Sequence, residues 1–102
     1  MDFEEFINIK QRKTKVNQKY RDYIKTLPCL ISDKDCCGWV HVHHVRTVGA
    51  GGLDEYNLVP LCMDHHTGNH GVHVFGKIKF SKKYDVNLTD IATLLYHEWM
   101  KI

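Results

Sequence analysis

A chain of 102 residues, 43% hydrophobic and 25% charged, has the composition of an ordinary globular protein with room for one domain and one modest core. The opening MDFEEFINIK is acidic and without a continuous apolar stretch, and no apolar run approaches the ~20 residues of a membrane span. A signal peptide and a membrane partner are therefore not expected, and a reducing, cytoplasmic setting is. The net charge of +2 hides an asymmetry: residues 10 to 25 carry +6, the first nine −3 and the remaining 77 −1.

The basic segment comes first in the chain. TKVNQKYRDYIKT (14–26), with Leu27 after it, places Val16, Tyr20, Tyr23 and Leu27 at helical spacings, and Pro28 should end the helix because the residue before a proline avoids the helical region. By charge alone it is a solvated helix face. Beside nucleic acid the same lysines and arginines, among them Lys13, Lys15, Lys19 and Arg21, would hold a phosphate backbone without reading sequence. CLISDKDCCG then reads as a polar loop and WVHVHHV as a strand. TVGAGGLDE is a loop, and it lacks the Lys-Ser/Thr that would make its glycines a nucleotide-binding turn. YNLVPLC reads as a second short strand. A short helix is expected from about Met63, limited by Gly68 and Gly71. Two more helices follow, around KIKFSKKY and, after a cap at Asn87 or Thr89, through DIATLLYHEWM. There Ile91, Leu94, Leu95 and Trp99 form an apolar stripe expected to pack into the core, and His97 is given no role.

Seven of the eight histidines lie between His41 and His73, interleaved with cysteines. Neutral imidazole is the commonest metal ligand and a frequent general base. Without an export signal, Cys29, Cys36, Cys37 and Cys62 are read as metal ligands rather than disulfides. On a helix, residues three and four apart share a face. His66 and His70 can then grip one ion, and Cys62 with His65 another. Cys29 and Cys36 (or Cys37) would complete a tetrahedral zinc shell with the second pair, although Ser32 stands where a further knuckle cysteine would be expected. His43 is the natural third ligand for the first pair, with His41 as its rival on the same strand face, and His44 remains to meet a substrate from another side.

HVHHVRTVGAGG (41–52) and YNLVPLCMDHHTGNH (56–70), flanked by YRDYIKTLPC and FGKIKFSKKYDV, resemble the HNH endonucleases, most closely their small phage and prophage branch. The resemblance implies an α+β fold: a ββα-metal finger with a zinc knuckle over 29–73, a basic helix at 10–27 and C-terminal helices in 74–102, all in one domain stapled by a structural zinc. It implies His43, His66 and His70 as ligands of a catalytic divalent ion (Mg2+, Mn2+, Ni2+ or Zn2+), His44 as general base, and Asn57 as the asparagine that holds the loop and His44 in position. DNA would be the substrate, cut to leave a 5′-phosphate, with Arg46 on a neighbouring phosphate. A phage origin would place the chain in a bacterial cytoplasm, with packaging or recombination proteins as further partners. The alternative is a zinc-stabilised DNA-binding module that does not cut.

Overall fold

The computed structural model describes residues 16–47 and 53–102. Lys13, Lys15, the first part of the expected basic helix and the glycines of the GAGG loop lie outside the described residues. Helix α1 runs Gln18–Lys25 and starts later than the apolar spacing suggests. The reason is Asn17, whose side chain accepts from the Tyr20 N–H at 3.1 Å and so makes itself the cap. Its own N–H donates to Asp54 Oδ2 at 2.7 Å, which pins the helix start to a distant loop. Tyr20 and Ile24, one turn apart, are the buried face.

Strand β1 (Val40–His44) pairs antiparallel with β2 (Leu58–Cys62), with Val42 opposite Pro60 and His43 opposite Val59. All five residues of β2 are buried, so this short strand is the centre of the molecule. Helix α2 (Met63–His66) follows without a break and is a single turn; α3 (Val72–Phe75) and α4 (Lys77–Tyr84) come next, separated by Gly76 at φ 84°. Helix α5 (Leu88–Met100) is capped by Asn87, which accepts from the Asp90 N–H. Its buried stripe is Leu88, Ala92 and Tyr96, whereas Leu94 is 57% exposed. The expected stripe is thus rotated about the helix: Ile91, Leu95 and Trp99 flank the core from half-buried positions, and the small Ala92 makes the close approach.

Two apolar clusters meet at β2. One gathers Val59, Leu61, Phe80, Leu88 and Ala92 with the cysteine loop, and the other gathers Tyr20, Ile24, Leu58 and Tyr96. Among the described residues no helix is long and apolar enough to cross a membrane.

Candidate metal centres

The cysteine site is built where β2 runs into α2. Cys62 caps the helix, its sulfur accepting the His65 N–H at 3.4 Å, and this turns Cys62 and His65 toward the same point. Cys29 is carried there because Leu30 donates its N–H to the Pro60 carbonyl at 2.9 Å, laying the loop along the outer edge of β2. Ser32, in the place of a further knuckle cysteine, donates its hydroxyl to the Cys29 carbonyl instead. A turn held by Asp33, which accepts from the N–H groups of Asp35 and Cys36, brings back Cys36 and leaves Cys37 exposed.

The ligand atoms of Cys29, Cys36, Cys62 and His65 all lie within 4.8 Å of one another. His65 Nδ1 is 3.1 Å from the Cys62 sulfur and 3.8 Å from that of Cys29. Tetrahedral zinc with bonds of ~2.3 Å to sulfur and ~2.0 Å to nitrogen separates its ligands by roughly 3.5–3.8 Å, so the four side chains fit such an ion with small adjustments. Their acid–base chemistry fits too. Burial pushes the Cys62 thiol up, but the N–H and ring of His65 and the N–H of Cys37 outweigh it and bring it down to about 6. Burial, together with the neighbouring Cys62 and Cys29, pushes Cys36 up to about 12. One thiolate therefore opposes the next, a conflict that a central cation removes. His65 is fully buried, and its Nε2 has no well-aligned hydrogen bond, Asp33 Oδ1 lying 3.1 Å away but off line. A carboxylate in this place would orient a ligating imidazole once the two groups align. The cluster can hold a structural metal ion such as zinc.

The second constellation is made of imidazoles. His43 from β1, His66 from the end of α2 and His73 from α3 bring one ring nitrogen each within 4.8 Å of the others. Ring centroids are 5.2 Å apart for His43 and His66, 5.1 Å for His43 and His73, and 4.7 Å for His66 and His73. His41 reaches the other side of His66, Nδ1 to Nδ1 at 3.0 Å. Burial, then repulsion from His66 and His73, lowers His43 to about 3; burial, His73 and His41 lower His66 to about 4. At neutral pH both are uncharged and offer lone pairs, the form a metal requires.

His70, expected beside His66 by helical spacing, is elsewhere. Its Nδ1 lies 2.7 Å from Asp64 Oδ2 and its Nε2 3.7 Å from Asp35 Oδ2. The i, i+4 rule needs a continuous helix, and α2 stops at His66. Beyond it the chain curls back so tightly that a Cβ on Gly68 would meet the Asp64 Cα at 2.7 Å, and one on Gly71 the His66 carbonyl oxygen at 2.6 Å. This return swings His70 over Asp64 and delivers His73 to His66.

His44 points to the opposite face of the strand from His43, toward α1. There its Nε2 lies 2.9 Å from Asp54 Oδ1, and its side chain keeps 24% of its surface exposed. Asp54 is buried and also receives Arg21, through Nε at 2.8 Å and Nη2 at 2.9 Å. Burial raises the Asp54 carboxyl, but Arg21, His44 and the Asn17 N–H together hold it down at about 2. An ionised carboxylate only accepts, so His44 Nε2 is the donor in this pair, and the approach of Arg21 Nη2 to Nε2 at 3.4 Å is then proximity only. Arg21, a candidate for phosphate contact, is thus turned inward to Asp54, while Lys19 and Arg46 stay exposed. Asn57 is buried and clasps Arg46, accepting its N–H at 2.7 Å and donating to its carbonyl at 2.8 Å.

Sequence reasoning did not single out Asp54 or His73. In the sequence Asp54 is one acid in the Gly-rich loop, with nothing to mark it, and His73 is the last histidine of the cluster. Replacing Asp54 with alanine is expected to lower stability by about 2–3 kcal/mol, since three donors lose a buried acceptor. Urea unfolding midpoints of wild type and variant test this, and an unchanged midpoint contradicts it.

No family model matches the chain, and no solved structure matches it. The chain is similar to a protein of Escherichia coli (strain K12) named uncharacterized protein YdfU, with 31% identity over 91 residues. The match takes in 83% of this chain and 24% of that protein, so the chain spans about a quarter of its relative's length.

Proposed function

We propose that this chain is a metal-dependent DNA endonuclease or nickase of the HNH kind. One observation carries the proposal: three imidazoles, His43, His66 and His73, converge at the junction of two antiparallel strands and a helix, next in the chain to a partly exposed fourth, His44. Three nitrogen ligands leave a coordination position open, as hydrolytic metal sites do. A divalent ion bound there would polarise the phosphodiester and stabilise the departing 3′-oxygen.

The protein's own groups would do the rest. His44, with Nε2 held by Asp54, takes a proton on Nδ1 from a water lined up opposite the scissile P–O3′ bond. The new P–O bond leaves a 5′-phosphate, and the released 3′-oxygen takes a proton from solvent to become a hydroxyl. Asn57 keeps the chain after His44 in place by clasping Arg46, whose exposed guanidinium is available to a neighbouring phosphate. Lys19 on the outer side of α1 adds charge attraction without sequence preference. Several divalent metals suit a site of nitrogen ligands.

Supercoiled plasmid incubated with the protein and Mg2+, Mn2+, Ni2+ or Zn2+ tests the proposal. Wild type should relax or linearise the plasmid with at least one of these ions. His44→Ala should cut ~10²–10⁴-fold more slowly while keeping its fold and DNA affinity. If wild type binds DNA yet leaves it intact with every ion, a zinc-stabilised DNA-binding module becomes the better account, and the closed cysteine site is what favours it. Cutting that occurs only with packaging or recombination proteins of a phage would place the same chemistry inside a complex.

A further inference from the structure

Trp39 directly precedes β1 and is 81% exposed. Gly38 puts it there: its φ of 79° is left-handed, and a Cβ at that position would meet the Met63 Cβ at 2.7 Å. The backbone therefore lies hard against α2, and the indole is turned outward. It does not stand alone on the surface. Trp39 lines a cleft of about 470 Å³ between α1 and β1, with Arg21 and Lys25 on the helix side and His41 and His66 on the other. His66 belongs to both this cleft and the imidazole cluster.

Val40 and Val42 of β1 line the cleft as well. Pro60 has no N–H, so Val42 opposite it sits at a position without hydrogen bonds to β2. The N–H and C=O of Val42, and those of Val40 two residues earlier, point away from β2 into the cleft. Among the described residues neither takes part in another backbone hydrogen bond. The outer edge of β2, by contrast, is covered by the Leu30 N–H on the Pro60 carbonyl.

We infer that this cleft receives an unpaired nucleotide beside the bond to be cut, its base stacked on Trp39 and its phosphate near Lys25. The inference rests on the nuclease proposal and narrows its substrate to single-stranded or locally unpaired DNA. Three features select this occupant: an exposed indole face for stacking, the exposed Lys25 on one wall, and backbone donors and acceptors on β1 that no other described residue uses, available to a base edge. In a duplex the base faces are covered by their neighbours and the pairing edges are taken. The route from Trp39 past His41 to His66 leads from the stacked base to the imidazole cluster.

Anisotropy of labelled DNA tests the inference in the metal-loaded 102-residue chain carrying His44→Ala, so that binding is read without cleavage. The probes are an oligothymidine of about 12 nucleotides, within the range of one single-strand site, and a blunt duplex of matching length. Adding Trp39→Ala should weaken oligothymidine binding roughly 10-fold, the loss of about one stacked base. Trp39→Phe, which keeps an aromatic face, should recover most of that loss, and duplex binding should change by less than ~2-fold on the same scale. Equal weakening on both probes would mean that Trp39 serves general affinity, and no weakening would mean that the cleft takes something else, such as an extended peptide on the β1 edge. Either result overturns the inference. Plasmid cutting by the protein with native His44 then tells the two failures apart: if cutting is present, only the cleft assignment falls. If no DNA of any kind is bound or cut, the nuclease proposal falls as well.

Discussion

Cys62→Ser should remove about one zinc per chain and leave a protein that no longer folds cooperatively. Cys62 is at once the last residue of β2, the cap of α2 and a member of the cysteine cluster. Its sulfur is the one most readily ionised, held at about 6 by the His65 and Cys37 N–H groups against the cost of burial. Structural zinc in small domains contributes an apparent ~10–16 kcal/mol, as large as the whole stability of a typical domain at ~5–15 kcal/mol. The core here is small, and among the described residues its sheet has two strands, so metal loss should outweigh what packing supplies. Elemental analysis together with circular dichroism during titration with a chelator measures both parts. A variant with the metal content and melting curve of wild type would remove the cluster from the account of stability. Cys37→Ser serves as the control, since the exposed thiol lies outside the cluster and should leave both readings unchanged.

His73→Ala and His70→Ala should part company sharply. If His43, His66 and His73 hold the ion, losing His73 should weaken metal binding by more than the ~10–100-fold that an outer-shell partner is worth. Cleavage would fall with it at limiting metal. His70→Ala removes a pairing with Asp64 and Asp35 among side chains that are partly exposed. Solvent screening limits such a pair to about 1 kcal/mol or less, and cutting should persist. Isothermal titration with Mn2+ or Ni2+, followed by plasmid nicking across metal concentration, reads both quantities. The opposite pattern, with His70 essential and His73 dispensable, would restore the ligand set that helical spacing suggests and refute the arrangement of rings described above.

Where a feature depended on neighbours in the chain, residue order was enough to find it. The two strands, the break at Pro28, the helix KIKFSKKY and a cap at Asn87 or Thr89, of which Asn87 is the one used, follow from side-chain branching, backbone restriction and local hydrogen bonding. Each acts over a handful of residues. Cys62 and His65 pair for the same reason, being one helical turn apart. Asn17 was equally local, but the apolar spacing of Val16 and Tyr20 masked it, and the cap prevailed because a side-chain acceptor for orphan N–H groups outweighs one exposed valine.

What tertiary structure decided are contacts between segments far apart. Cys36 rather than Cys37 faces the other thiols because a turn around Asp33 reverses the chain. His73 rather than His70 lies beside His66 because α2 lasts one turn and two glycines let the backbone pass within contact of Asp64 and His66. Asp54 meets Arg21 and His44 only once α1 lies on the sheet, where burial makes one carboxylate the common acceptor for three donors. Periodicity fixes which way a side chain leaves its own segment. Which distant group it then meets is set by the packing of whole segments and by the cost of leaving a buried polar atom unpaired.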